Sequence, residues 1–188
     1  MVMEKKIFGI TGKNRAGKGA VVDYLKKKNF EHLSASDFIT EEIIKRNMPV
    51  NRDSMIEVAN DLRAKFGAGY IVEELLRRAG ESQNNTVIES IRTLGEVKKL
   101  NEKGAILLAV DADIEIRYQR AVKDGGVKDG VNFEKFKEQE RKEWESTDPN
   151  KQNLKACIEA ADYVIKNDGT IEELNEEIEK ILKIIQNK

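Results

Sequence analysis

The sequence predicts an α/β fold of three layers, a parallel β-sheet with helices on both faces. Two observations carry that expectation. Apolar runs of strand length recur between longer stretches with helical periodicity, the pattern of βαβ units. A glycine-rich turn follows the first run directly and opens a helix, a junction that aims backbone N–H groups out of one sheet edge.

The runs that read as strands are 6–11, Glu31–Ser34, Thr86–Glu89, 105–110 and Tyr163–Lys166. After the first, Ala20, Val21, Tyr24 and Leu25 repeat at helical spacing, and Lys26, Lys27 and Lys28 fall in the last turn, where cations suit the helix dipole. Two helices, Arg52–Phe66 and 70–79, lie between the second and third strands with Gly67 and Gly69 at the break. That insertion, residues 51–80, is a candidate lobe for binding an acceptor. Leu94, Val97 and Leu100 mark an amphipathic helix ended by Gly104. Residues 123–132, with Gly125, Gly126 and Gly130 among charges, read as a short lid or a plain surface loop, and a charged helix, Phe133–Trp144, follows. The last helix, 171–185, packs through Leu174, Ile178, Ile181 and Ile185.

Composition narrows the function classes. At 188 residues, 39% hydrophobic and 36% charged with two prolines, the chain reads as one helix-rich globular domain, 1–188. Its 33 Lys and Arg nearly balance 34 Asp and Glu, which removes the electrostatic case for nucleic-acid or membrane-surface binding. Cys157 and His32 are each the sole residue of their type, so no zinc-ligand cluster and no intramolecular disulfide is expected. The apolar run Ile7, Phe8, Gly9, Ile10 is too short to span a bilayer. A cytoplasmic protein is the expectation. His32 and Cys157 read as structural, and Trp144 as a packing residue.

The residues with most to say are Gly12, Lys13, Asn14, Arg15, Ala16, Gly17, Lys18 and Gly19, a G-x-x-x-x-G-K between a strand and a helix. Glycines let consecutive N–H groups turn toward phosphates, the helix adds its positive end, and Lys18, read as an exposed loop residue, reaches the β and γ phosphates. Where the motif ordinarily carries a Ser or Thr for magnesium, this chain has Gly19, and Ala20 follows. Magnesium then falls to phosphate oxygens, water and an acidic residue elsewhere.

With these features in order, the chain from Ile7 to about Leu182 resembles the P-loop nucleoside monophosphate kinases, near cytidylate and dephospho-CoA kinases. It is also similar to the kinase-like half of proteins that join a P-loop domain to a deoxycytidylate deaminase. The resemblance rests on residues 12–19, Ser36-Asp37, Leu62-Arg63, Glu89-Ser90-Ile91-Arg92, Arg117-x-x-Arg120, Ala161-Asp162-Tyr163 and Asn167-Asp168-Gly169-Thr170. The zinc signature of the deaminase half is absent, which excludes deamination by this chain.

The resemblance implies the strand order 2-3-1-4-5, ATP with Mg²⁺, and a small nucleotide acceptor. It implies residues 12–20 with Asn167, Asp168 and Gly169 around the donor, the last three near the adenine or forming a turn whose Thr170 caps the final helix. It implies Ser36, Asp37, Arg63 and Arg92 around the acceptor, and Glu89 or Asp37 near the metal. Ser36 or Asp37 reads equally as an N-cap, and Arg63 as a solvated face. Arg117 and Arg120 share a helix face and would neutralise the transferring phosphoryl group; Asp111 and Asp113 before them read as caps. Lys18, Asp37, Arg92, Arg117 and Arg120 are thus the candidate catalytic set. The leading function is a nucleoside or deoxynucleoside monophosphate kinase. A dephospho-CoA kinase and a nucleotide-binding switch with little turnover are the alternatives.

Overall fold

Five strands, β1 Ile7–Gly12, β2 Glu31–Ser34, β3 Thr86–Glu89, β4 Ile106–Asp111 and β5 Tyr163–Lys166, form one all-parallel sheet in the order β2-β3-β1-β4-β5. The computed structural model from which this is read describes residues 5–123 and 132–187. Central β1 lies between β3 and β4, with Ile10 opposite Glu89 on one side and Gly12 opposite Val110 on the other.

Alternation along the strands divides the core between the two faces. Phe8, Ile10, Val87, Leu108 and Val110 pack with Val21 and Leu25 of α1 (Lys18–Lys27) and with Leu174, Ile178 and Ile181 of α9 (Ile171–Gln186). Ile88 and Leu107 face the other way, into a cluster with α2 (Ala35–Lys45), α3 (Arg52–Phe66), α4 (Tyr70–Gly80) and α5 (Leu94–Glu102). Both faces of the sheet are therefore covered, as an all-parallel sheet requires. The insertion between β2 and β3 is not a detached lobe at its root: Val58, Leu62, Ile71 and Leu75 are in that same core.

Three strands have the bounds read from the sequence, while β1 and β4 each begin and end one residue later than expected. Helices Arg52–Phe66 and Phe133–Trp144 (α7) run as expected. Thr170 caps α9 with a full capping box completed by Glu173. The cap of α2 differs from expectation. It is Ser34, the last residue of β2, whose Oγ accepts from the Asp37 N–H at 3.2 Å, so Ser36 and Asp37 lie inside the first turn. The strand thus passes into the helix with no intervening loop. A six-residue helix, α8 (Leu154–Glu159), was not visible in the sequence. Its Asn153 cap, whose N–H donates to the Arg92 carbonyl at 2.9 Å, ties it to the end of β3. Positions 124–131 of the expected lid lie outside the described residues. Among the described residues, no helix is long and apolar enough to cross a membrane.

Candidate active site

Left-handed backbone winds the loop between β1 and α1. Gly12 has φ 136°, Arg15 φ 60° and Gly17 φ 101°, a region costly for side chains with a Cβ. At Gly12 a Cβ would run into the Val110 carbonyl of β4; at Gly17 it would collide with the Asn167 amide. That amide donates from Nδ2 to the Ala16 carbonyl at 2.8 Å. Gly17 caps α1 without any side-chain hydrogen bond, and the first turn of α1 carries no acidic residue. The start of α1 therefore carries neither a side-chain cap nor a carboxylate, the condition in which a helix N-terminus can accept an anion.

Lys18 is half-buried, not exposed. Its Nζ folds back and donates to the carbonyls of Gly12 at 3.0 Å and Lys13 at 2.9 Å. Burial, and next the nearby Arg92, push the ammonium down to about 8, against the opposing pull of Glu89 and Glu143. Lys13 instead pairs with Asp111 at 3.2 Å and lies over the Trp144 ring, 5.0 Å from its centroid.

The two arginines of α6 (Ile114–Lys123) brace the back of the loop. Arg117 is 1% exposed; its Nε donates to the Ala112 carbonyl at 2.9 Å, its Nη1 to the Asn14 carbonyl at 3.3 Å, and both Nη atoms to Glu140 of α7. Arg120 reaches the Ala16 carbonyl at 3.4 Å and the Asn167 carbonyl at 2.8 Å. Holding the Asn14, Ala16 and Asn167 carbonyls from the rear fixes the peptide planes of the loop, whose Ala16 N–H donates to the Lys13 carbonyl at 3.3 Å. Asp168 accepts from the Asp113 N–H at 2.6 Å, and Gly169 lies against Glu173. Asp113 accepts from Glu115 N–H in the first turn of α6 at 2.8 Å, as expected of a cap. Asp111 does other work: burial pushes its carboxyl up, but the hydrogen bonds and charges of Lys166 and Lys13 together hold it below the usual range.

At the end of β3, a hydrogen bond from His32, 3.2 Å away, outweighs burial and holds the Glu89 carboxyl below the ordinary range, with Lys18 and Arg92 adding to the effect. Ser90 then adopts φ 73°, a conformation that costs a non-glycine residue about 1 kcal/mol or more. The turn lets the Ile91 N–H donate to the Ile10 carbonyl at 3.1 Å and the Ile91 carbonyl accept from Thr11 Oγ1 at 2.8 Å. Arg92 is thereby delivered to the space beside the loop. Among the described residues no group of three or more His, Cys, Asp or Glu is arranged to hold a metal ion. One ionised carboxylate beside Lys18 suits an ion that arrives with a phosphate chain.

That space is a cleft of about 230 Å³. Asn14 of the loop, Ser36 and Ile39 of α2, Met55 and Ala59 of α3, and Glu143 of α7 contribute to its walls, together with three arginines, Arg52, Arg63 and Arg92. The arginines differ in kind. Arg63 is 2% exposed and gives Nε and Nη2 to Glu96 Oε1 at 3.2 and 2.8 Å, while Glu96, itself fully buried, takes the N–H groups of Arg92 and Thr93 on its other oxygen. Arg52 and Arg92 are more open and meet at Glu143.

No family model matches the chain. A UPF0200 protein of Sulfurisphaera tokodaii is 27% identical over 181 residues, covering 96% of this chain and 97% of that protein. A UPF0200/UPF0201 protein of Archaeoglobus fulgidus is 26% identical over 194 residues and 97% of this chain, which spans 56% of that longer protein. Two solved structures share the architecture. Shikimate kinase from Bacteroides thetaiotaomicron superposes with a TM-score of 0.60 at 14% identity, covering 95% of this chain and 98% of that one. Shikimate kinase from Acinetobacter baumannii, in complex with shikimate, gives 0.59 at 19% identity with 98% and 95% covered. The chain shares the fold of these two structures.

Of the acceptor residues expected from the sequence, the structure brings Ser36, Arg63 and Arg92 to one cleft beside the loop. Asp37 is exposed one position further along α2 and does not line it, because successive helical residues point about 100° apart. Arg63 is not on a solvated face. Arg52, Glu143 and Gln152 were missed. No local signal marked them: Arg52 and Glu143 are paired across 91 positions, in a chain over a third charged.

Proposed function

We propose that the protein transfers the terminal phosphoryl group of ATP to a small acceptor bearing an anionic group, a nucleoside or deoxynucleoside monophosphate in the leading version. The observation that carries this reading is that the arginine-lined cleft opens on Asn14 of the glycine-rich loop. A donor phosphate seat and an anion-holding acceptor seat are adjacent, which is what in-line transfer between two anions requires.

The loop N–H groups and Lys18 hold and orient the donor phosphates, with Arg117 and Arg120 keeping the loop in shape from behind. Arg92, and Arg52 beside it, hold the acceptor anion against repulsion from the donor. Glu89 is the carboxylate suited to magnesium, with His32 fixing its orientation. Magnesium bound with ATP supplies charge neutralisation at the transferring group. Asp37, outside the cleft, is given no step.

Lys18 must leave its two carbonyls to meet phosphate, and a neighbouring anion raises an ammonium pKa. From about 8 in the empty protein, the group gains a proton on binding wherever it was partly neutral. At about pH 9, ATP binding is expected to take up close to one proton, falling toward none at about pH 7. Calorimetry in buffers of different ionisation enthalpy reads this directly; a binding heat at the higher pH that ignores the buffer would exclude contact between Lys18 and the phosphates.

The reaction itself is tested by screening nucleoside and deoxynucleoside monophosphates and dephospho-CoA with ATP and magnesium. On an acceptor that turns over, Arg92→Ala should raise the acceptor KM by the equivalent of about 2 to 5 kcal/mol. ATP affinity should move little. An unchanged acceptor KM means that the cleft is not the acceptor site. A second reading, a nucleotide-binding switch with little turnover, is favoured by the absence of a hydroxyl at Gly19 and Ala20. ATP binding with no acceptor response across the screen would select it.

A further inference from the structure

The cleft is lined with cations, yet each has an internal carboxylate, and the carboxylates are held in two different ways. Glu96 on Arg63 is sealed, with side-chain exposures of 0% and 2%. It also completes the capping box of α5. Glu143 is different. Its Oε1 accepts from Arg52 Nη2 at 2.6 Å and its Oε2 from Arg92 Nη1 at 3.3 Å, so the oxygens of one carboxylate span guanidiniums brought from α3 and from the end of β3. Gln152 Oε1 accepts from the same Arg92 nitrogen at 2.9 Å.

Solvent reaches this arrangement: Arg52 is 57% exposed, Arg92 29% and Glu143 20%. Ion pairs this open contribute little to folding and exchange partners readily. Glu143 also lies three residues after Glu140, which grips Arg117, so one face of α7 presents two carboxylates to the basic side of the site. A carboxylate shaped and placed like a bound anion, tethered by a helix that does not depend on it for burial, is a ligand supplied by the chain itself.

We propose that Glu143 is a built-in competitor for the anionic group of the acceptor. Arg52 and Arg92 form a seat for a carboxylate- or phosphate-type group, and Glu143 must vacate it before such a ligand enters. The assignment of that ligand as an acceptor rests on the phosphotransfer reading; the seat and its occupant do not. An internal occupant reduces the apparent affinity of every ligand by the same factor, set by the fraction of time the seat is free. A doubly charged phosphate monoester is favoured over a singly charged group because two guanidiniums flank the seat.

The sole tryptophan of the chain, Trp144, adjoins Glu143 and offers a fluorescence signal for the test. Inorganic phosphate and acetate are titrated into the parent protein, Glu143→Gln, and Glu143→Gln combined with Arg52→Ala, with thermal melts in parallel. Glu143→Gln is expected to bind phosphate about ten-fold more tightly than the parent, the fold-change that removal of a mostly seated competitor produces. The gain should vanish when Arg52 is also lost, which separates this seat from the glycine-rich loop, where phosphate can also bind. The fold-gain should be similar for the two anions, since loss of a competitor scales every ligand alike; tighter absolute binding of phosphate than of acetate by Glu143→Gln indicates a phosphate-bearing ligand, and the reverse order a carboxylate-bearing one. Glu143→Asp, which keeps the charge on a shorter arm, should gain less than Glu143→Gln. No gain in Glu143→Gln, or a gain that survives loss of Arg52, overturns the proposal. Turnover of the acceptor panel with ATP and magnesium, measured on the same proteins, decides the phosphotransfer reading separately, since either result can fail while the other stands.

Discussion

Lys18→Ala is expected to weaken ATP binding by about 2 to 5 kcal/mol, the scale for truncating one partner of a desolvated charge pair, while the protein remains folded. The second half of that expectation follows from how Lys18 is held without ligand. Its folded pKa, about 8, is depressed from the ordinary 10.5, so the charged form is disfavoured in the native state and its removal relieves that cost. The loss of two hydrogen bonds to the carbonyls of Gly12 and Lys13 acts in the opposite direction, at about 1 kcal/mol each. Thermal stability should consequently change by only a few degrees.

The pH dependence gives an independent check. Between pH values of about 8 and 10.5 the unfolded chain binds more protons at this lysine than the folded one, so parent stability gains a rising contribution across that window. Lys18→Ala lacks the contribution. The stability difference, parent minus variant, should therefore increase from about pH 8 upward and be flat below it. Calorimetry and denaturation on the two proteins measure both parts; a variant that keeps ATP affinity removes the central reading of the loop.

Arg63→Ala is expected to cost about 3 to 5 kcal/mol of folding stability, because it strands a buried carboxylate. Arg63 and Glu96 are almost without solvent contact, and the Glu96 carboxylate would keep only the N–H donors of Arg92 and Thr93. Denaturant unfolding should show the loss in the absence of any ligand. Arg63→Met together with Glu96→Gln should recover part of it, since removing both charges removes the stranded one. If Arg63→Ala is instead as stable as the parent and only raises the acceptor KM, Arg63 is a ligand-binding residue and its pairing with Glu96 is incidental. The kinetic consequence expected of Arg92→Ala has no such stability component, as Arg92 is partly open to solvent.

The sequence by itself determined the parts of this protein that are written over short spans. Strand alternation, helical spacing and the residues 12–19 each concern neighbours within one or two turns, so the parallel sheet and the glycine-rich loop could be read directly, with element bounds within a residue of those observed for the five strands. The backbone demands at Gly12 and Gly17 are likewise local in cause. Tertiary structure decided the state of the charged side chains around the cleft. Among 67 ionisable residues of the four common charged types, nothing in the order of letters distinguishes Arg63, sealed against Glu96, from Arg52, open beside Glu143, or marks Asp37 as lying outside the cleft that Ser36 lines. Those distinctions depend on desolvation and on partners tens of residues away, and both quantities exist only once the helices of the insertion and α7 have closed around the end of β3.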